Sequence, residues 1–240
     1  MMENHSYSDI VGNASAPYIN SLASSGALFT RSFAVTHPSQ PNYIALFSGS
    51  TQGVSDDACP NSIDASSLGS QLLANGRTFT GYSEDLPQVG FTGCSSGSYA
   101  RKHAPWVNFS SLPPSTNQPM SAFPSSYGAL PNVSFVIPNL DDDMHDGTVA
   151  QGDGWLRQNL SGYAQWTRNN NSLLIVTWDE DDRSQSNQIP TIFYGAHVKA
   201  GSYSDPLTHY RVLRTIESLE GLPALGTAAD TQPITDIWTR

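Results

Sequence analysis

The sequence predicts an α/β fold with a mostly parallel central sheet covered by helices. Segments rich in strand-forming residues alternate with segments of helical spacing, which is typical of parallel sheets. Residues 172–178 form a continuous apolar run, as in a strand at the buried centre of such a sheet. Because the chain contains neither internal repeats nor a linker, we expect residues 1–240 to form a single domain.

The individual elements follow from apolar spacing and from proline and glycine positions. Helices are predicted over residues 16–25, from Pro41 to Gly49, and over 62–75 (beginning at Ser62 or Asp64), 149–168 and 208–220. Strands are predicted over residues 27–35, 79–83, 134–138, 172–178 and 189–195. Residues 84–131 are expected to be mostly irregular, and composition alone favours a frayed tail for the polar residues 3–9.

The charge balance limits the classes of partner. A formal net charge of −10 argues against bulk attraction to nucleic acid or to an anionic membrane. An anionic substrate must therefore be held locally, by a metal ion or a few basic groups. No apolar run approaches the roughly 20 residues of a membrane-spanning segment, and nothing in the sequence indicates an obligate protein partner.

The two cysteines, Cys59 and Cys94, lie in loop-like surroundings and predict a disulfide. Zinc binding is not expected, because neither a C-x-x-C motif nor a nearby histidine accompanies them. A disulfide in a lysine-poor chain favours a secreted or periplasmic protein. The opening Met1-Met2-Glu3-Asn4 contains no signal peptide, and so abrupt a start suggests that upstream residues are missing.

The segment from Thr36 to Tyr43 places Ser39 in a turn between a predicted strand and a predicted helix. Free backbone N–H groups and the dipole of a helix N-terminus favour an anion there. A hydroxyl beside an anion site suits phosphoryl transfer to a serine. Capping of the helix by Ser39 is an equally good interpretation of this segment alone.

Polar side chains also follow three other predicted strands. They are Asp141 to His145, the pair Asp179 and Glu180 and, one loop later, His209. Because ligands bind at the carboxyl ends of parallel strands, one sheet edge could gather these groups with Ser39. Carboxylates, imidazoles and a hydroxyl together are typical of a metal-assisted hydrolase.

One basic cluster, Arg101-Lys102-His103, lies in the irregular region. In so acidic a chain it could contact a phosphate, and a solvated turn is an equally fair interpretation.

Five stretches resemble the bacterial phosphoesterase family of acid phosphatases and phospholipases C, within the alkaline-phosphatase-like superfamily. They occur in the family's order and span nearly the whole chain: Glu3-Asn4-His5-Ser6-Tyr7, Thr36 to Tyr43, Arg101-Lys102-His103, Trp178-Asp179-Glu180-Asp181-Asp182 and Thr208-His209-Tyr210. The short length resembles the secreted acid phosphatase branch, which includes phosphatidylinositol-3-phosphate phosphatases. The resemblance implies a sheet sandwiched between helices, with one metal ion beside a serine nucleophile.

The resemblance also implies a role for each matching residue. Ser39 would be the nucleophile and a metal ligand, and the other metal ligands would be Glu3, Asn4, Asp179 and Glu180. Oxygen ligands suit Ca²⁺ or Mg²⁺ better than zinc. In two-metal relatives a D-x-x-x-H motif and a later histidine hold a second metal, and Asp141, His145 and His209 resemble that set. Here side chains would replace the second metal and bind phosphate or transfer protons. They would be Asp141, His145 and His209, together with His103 and Lys102 of the basic cluster. Asn42 would either donate to the phosphate or stabilise the helix start.

These roles predict hydrolysis of a phosphomonoester, on a phosphorylated small molecule or a phosphoinositide. The metal would activate Ser39 for attack on phosphorus, and His145 or His209 would protonate the leaving alcohol. Histidine titrates near ~6.5 when free, so mildly acidic conditions would favour activity. The alternatives are a phosphodiesterase of phospholipase C type and a non-catalytic protein that binds metal or phosphate.

The chain departs from the family at its start. Family members carry an apolar strand before the Glu-Asn pair, where this sequence has only Met1 and Met2. We therefore expect Glu3 and Asn4 to be weakly fixed and the metal affinity to be low.

Overall fold

The protein was analysed as a computed structural model that describes residues 1–239. Two compact units can be distinguished. The first unit contains Met1–Ala34, Asp141–Thr208 and residues 234–239, and the second contains Val35–Leu140 and His209–Pro233. The prediction of a single domain stays a prediction.

The regular elements alternate along the chain as the sequence predicts. The α-helices are α1 (Tyr7–Ile10), α2 (Pro17–Ser25), α3 (Ser39–Ser48), α4 (Leu68–Ala74), α5 (Val149–Thr167) and α6 (His209–Leu219). The strands are β1 (Ala27–Phe29), β2 (Ser32–Phe33), β3 (Phe79–Ser83), β4 (Ser95–Ser96), β5 (Tyr99–Ala100), β6 (Asn117–Pro119), β7 (Val133–Ile137), β8 (Leu174–Thr177), β9 (Thr191–Tyr194), β10 (Gly201–Tyr203) and β11 (Leu207–Thr208). Short 3₁₀ turns cover Arg101–His103, Pro105–Asn108, Pro114–Thr116, Met120–Ala122, Tyr127–Ala129 and Gly226–Asp230.

The first unit is built on a four-stranded sheet in the order β10-β1-β9-β8. β1 pairs in parallel with β10, while β9 runs antiparallel to both β1 and β8. Helices α2 and α5 pack against each other, α2 on β9 and β1 and α5 on β8. Next to β8, Met2 forms a parallel bridge with Trp178. The α/β class is therefore confirmed, although one strand of this sheet runs against the others.

The second unit contains a parallel three-stranded sheet in the order β6-β3-β7. Its core is aromatic: the Phe47 ring of α3 lies 5.2 Å from that of Phe79 and 5.4 Å from that of Phe135. Trp106 packs against β3 where Gly81 exposes the backbone. A Cβ at Gly81 would lie 2.1 Å from the indole, so only glycine fits beneath this tryptophan.

Several predicted boundaries need correction. Helix α4 begins after Ser67, whose hydroxyl accepts a hydrogen bond from Ser70 N, and not at Ser62 or Asp64. The predicted strand 27–35 is divided into β1 and β2. Residues 84–131 are mostly irregular as predicted, apart from the short strands β4 to β6 and the 3₁₀ turns. The frayed tail is also wrong, because Met2, Glu3 and Ser6 are buried and Tyr7–Ile10 is helical.

The predicted disulfide between Cys59 and Cys94 is present. Both cysteines belong to the second unit, where the bond connects the loop after α3 to the segment before β4. Within residues 1–239, no helix combines the length and apolar character needed to cross a bilayer.

Helix α6 buries the carboxyl group of Glu217 completely. Burial raises the pKa of Glu217 to about 7, while the hydrogen bond from Leu225 N (2.9 Å) and the nearby Arg214 lower it. Between pH 4.5 and about 7 the Glu217 carboxyl group is therefore protonated in the folded protein, whereas in the unfolded chain, where its pKa is 4.5, it has lost its proton. Because folding binds a proton in this range, protonated Glu217 contributes to the free energy of unfolding. This contribution is complete below pH 4.5 and is lost as the pH rises through about 7.

Glu217→Gln should remove this dependence, since glutamine is neutral and retains an oxygen for Leu225 N. Between pH 4.5 and about 7, the free energy of unfolding of the wild type should fall more steeply with rising pH than that of the variant. The difference in slope should reach at most roughly 1.4 kcal/mol per pH unit. Urea unfolding at a series of pH values measures the difference. Parallel stability curves for the two proteins would contradict the assignment.

Candidate active site

In the first unit, Glu3 and Asn4 lie beside Asp179. Met2 N donates to Thr177 O at 2.9 Å, and Asp179 N donates to Met2 O at 3.0 Å, so the two segments run side by side. Asn4 N then donates to the Asp179 carboxylate at 3.2 Å. Asn4 adopts a left-handed φ of 53°, which asparagine tolerates better than most residues. This backbone ladder fixes both residues, so the expectation that they are weakly held is wrong.

The acidic groups here are unusually buried. Glu3, Asp179 and Asp143 are 0 % exposed, and Glu180 is 5 % exposed. Burial lowers the pKa of the Met1 amino group to about 6, and nearby Asp143, Glu3 and Asp179 oppose this shift. Buried carboxylates cost several kcal/mol each unless positive charge or hydrogen bonds compensate them. Such a set of oxygen donors fits a hard divalent cation.

The loop from Asp141 to His145 separates into buried and exposed groups. Asp143 O accepts from Glu3 N at 2.8 Å, and Asp143 Oδ1 accepts from His145 N at 2.8 Å. Asp141 is exposed, and His145 Nδ1 lies 2.7 Å from an oxygen of Asp146. Asp143, which the sequence analysis did not single out, is therefore the fully buried acidic residue of this loop, and its backbone contacts that of Glu3.

Asp181 has a structural role in the same motif. Its carboxylate accepts hydrogen bonds from the backbone N–H groups of Arg183, Gln185 and Asn187, at 2.7 to 2.9 Å. These three hydrogen bonds stabilise the loop that follows Asp179 and Glu180.

In the second unit, Ser39 is the first residue of α3 and is 2 % exposed. Asn42 holds the turn before it. The Asn42 side-chain oxygen accepts from Val35 N and Thr36 N, and its amide donates to Thr36 O and Pro38 O, at 2.8 to 3.1 Å. Both amide protons are thus used within the protein. Of the two predicted roles for Asn42, these contacts support stabilisation of the helix start.

The basic cluster serves three purposes. The Arg101 side chain is buried and donates to Thr92 O, Asn61 O and Asn108, so it supports the loop. Lys102 Nζ lies 3.0 Å from Asp57 Oδ2. His103 is buried and stacks on Tyr43 of α3, with ring centroids 5.1 Å apart. Within this cluster, Lys102 and His103 therefore remain candidates for binding phosphate.

His209, the remaining predicted site residue, is buried as the first residue of α6. Of the predicted residues, the first unit thus contains Glu3, Asn4, Asp141, His145, Asp179 and Glu180, and the second contains Ser39, Asn42, Lys102, His103 and His209. The sequence analysis did not single out three residues that contact these side chains or the start of α3: Asp143, which accepts from His145 N, Asp57, which pairs with Lys102, and Gln40, whose backbone N donates to Asp57. The acidic run around Asp143 and the sequence Ser39-Gln40-Pro41 were visible signals, but spacing alone could not show which side chains are buried.

Comparison with known proteins supports the predicted resemblance. The chain is 59% identical over 239 residues to a phosphatidylinositol-3-phosphatase of Mycobacterium tuberculosis, covering 98% of this chain and 80% of that protein. It is 32% identical over 250 residues to an acid phosphatase of Aspergillus fumigatus, covering 94% of this chain and 54% of that protein. The chain thus spans about half the length of the fungal relative.

Solved structures agree on the fold. A member of the alkaline phosphatase superfamily from Vibrio parahaemolyticus aligns over 97% of this chain and 68% of its own, with a TM-score of 0.59 and 12% identity. At that identity the likeness shows the fold alone. The model of the phosphoesterase family matches residues 12–223. The predicted resemblance and enzyme class are confirmed at this level, and the chain belongs to the phosphoesterase family.

Proposed function

We propose that this chain is a metal-assisted phosphomonoester hydrolase with Ser39 as its nucleophile. The observation that carries the proposal is the set of buried carboxylates in the first unit, which belong to Glu3, Asp179 and Glu180. Asn4 N donates a hydrogen bond to the Asp179 carboxylate of this set. The names of the two relatives, a phosphatidylinositol-3-phosphatase and an acid phosphatase, favour monoesters over diesters.

Glu3, Asn4, Asp179 and Glu180 would hold one divalent cation, with Ca²⁺ or Mg²⁺ preferred. The buried carboxylates are hard oxygen ligands, and a divalent cation would offset the cost of their burial. When bound, such an ion polarises phosphoryl oxygens and lowers the pKa of a hydroxyl group. This donor chemistry supports a metal-assisted reaction.

The protein's own groups would then act in two steps. Ser39 Oγ would release its proton to water and attack phosphorus to form a new P–O bond, while the bond to the leaving alcohol breaks and His145 or His209 protonates the departing oxygen. Water then hydrolyses the phosphoserine and releases inorganic phosphate. The dipole at the N-terminus of α3 stabilises negative charge on the phosphoryl group, and Lys102 and His103 bind its oxygens.

The substrate would be a phosphorylated small molecule or a phosphoinositide, met outside the cytoplasm. The Cys59–Cys94 disulfide supports a secreted or periplasmic location, because such bonds persist in oxidising compartments.

Hydrolysis of an aryl phosphate and of a phosphocholine diester, each from pH 4 to 9, tests the function. We expect release of phosphate from the monoester, greatest at mildly acidic pH, with loss on chelation and recovery with Ca²⁺ or Mg²⁺. Preferential cleavage of the diester would identify a phospholipase C-type enzyme instead. Binding of phosphate without turnover of either substrate would identify a non-catalytic protein.

A further inference from the structure

Gln40, directly after Ser39, clamps the loop that precedes Cys59. Its backbone N donates to Asp57 Oδ1 at 2.9 Å. Its side-chain amide donates to Asp56 O at 3.0 Å and to Ala58 O at 2.9 Å. Gln40 itself is 1 % exposed, so these bonds are shielded from water. The first turn of α3 is therefore attached to this loop at three successive residues.

Asp57 joins that turn to the basic cluster. While its Oδ1 accepts from Gln40 N, its Oδ2 lies 3.0 Å from Lys102 Nζ. The side chains of Lys102 and Asp57 are only 20 % and 30 % exposed, so the pair is less screened than an ordinary surface ion pair. One carboxylate thus contacts both the helix that begins at Ser39 and a candidate phosphate-binding ammonium group.

The segments that carry Asp57 and Lys102 are anchored to each other independently of this pair. The disulfide joins Cys59, two residues after Asp57, to Cys94. Arg101 N donates to Cys94 O, and the Arg101 guanidinium donates to Asn61 O, both at 3.0 Å. The backbone on each side of the ion pair is therefore fixed, and Asp57 needs only to orient a side chain.

We propose that Asp57 is a positioning residue for phosphoryl transfer, which orients the Lys102 ammonium group and holds the first turn of α3. The inference rests on the proposed function. A free lysine side chain loses considerable rotamer entropy when it binds a ligand, and a fixed partner removes part of that cost in advance.

The opposite role makes a different prediction. As a carboxylate at a helix N-terminus beside a lysine, Asp57 could instead compete with phosphate for the same groups. Removing its negative charge would then strengthen phosphate binding, which is also what simple electrostatics predicts. Positioning predicts weaker binding, so the sign of the change separates the two roles.

Asp57→Asn is the decisive variant, because asparagine retains an oxygen for Gln40 N and loses the charge that holds Lys102. We expect about a tenfold loss in kcat/KM for an aryl phosphate and a similar increase in the inhibition constant of inorganic phosphate. Asp56→Asn is the matched control. It makes the same charge change one residue away, at an exposed side chain that accepts a hydrogen bond from Ala58 N, and it should leave both constants within about twofold.

A double-mutant cycle with Lys102→Met tests whether Asp57 acts through Lys102. We expect Asp57→Asn to cause no further loss once Lys102 is replaced. Tighter or unchanged phosphate inhibition in Asp57→Asn, or additive losses in the cycle, would overturn the proposal. If wild type hydrolyses no phosphomonoester, the proposed function fails, whereas calorimetric binding of inorganic phosphate to the same variants still decides the role of Asp57.

Discussion

Ser39→Ala is expected to lower kcat for an aryl phosphate by at least about 10³-fold, because the oxygen that accepts the phosphoryl group is removed. The fold should persist. Alanine favours helices. Asn42 still holds the turn before α3, and Gln40 still attaches the first turn of α3 to Asp57. Initial rates, together with thermal unfolding of the same preparation, measure the effect.

Ser48→Ala provides a matched control at the other end of α3. Ser48 is also 2 % exposed, but its hydroxyl makes only hydrogen bonds near the end of the helix: it donates to Ile44 O or Ser50 O and accepts from Gln52 Nε2. This variant should lose some stability and retain wild-type turnover per folded molecule. If Ser39→Ala keeps more than about a tenth of the wild-type kcat, Ser39 is not the nucleophile.

Asp179→Asn is expected to raise the concentration of Ca²⁺ or Mg²⁺ needed for half-maximal activity by at least about tenfold. The amide is nearly isosteric and can still accept from Asn4 N, so the main change is the loss of one negative charge from the buried donor set. Activity of chelator-treated protein during metal titration gives one readout. A second, independent of turnover, is the increase in Tm that any ligand selective for the native state produces.

Asp182→Asn serves as the control for Asp179→Asn. It makes the same charge change three residues later at an exposed position, where the Asp182 carboxylate accepts a hydrogen bond from Ser184 N. Its metal dependence should match that of wild type. Equal metal dependence in Asp179→Asn and wild type would remove Asp179 from the ligand set. A wild-type Tm that neither chelator nor added metal changes would argue against the metal site itself.

The longer elements could be predicted because their signals are local. The spacing in α5, the glycine after α3 and the apolar run of β8 each determine one element. The short strands β10 and β11 could not be predicted, since two or three residues become a strand only when a partner is in register, as Leu207 is with Ser32. The tail interpretation of residues 3–9 failed for the same reason, because pairing of Met2 beside β8 orders the start of the chain.

The candidate residues were predictable as types but not in their contacts. Asp141, Asp142 and Asp143 are alike in sequence, yet only Asp143 is fully buried and accepts from His145 N. The choice depends on loop geometry around Met144, which has a left-handed φ of 83°. Likewise, the bond from Gln40 to Asp57 joins residues 17 positions apart through a loop that carries no periodic signal.

Trapping of the phosphorylated enzyme tests the central claim most directly. Protein mixed with excess aryl phosphate at mildly acidic pH is quenched in acid within the first turnover, digested and analysed by mass spectrometry. We predict one added phosphoryl group on the tryptic peptide from Ser32 to Arg77, assigned to Ser39 by fragmentation and missing in Ser39→Ala. Steady turnover with no phosphorylated residue in that peptide, or with the phosphoryl group on another side chain, would contradict the account.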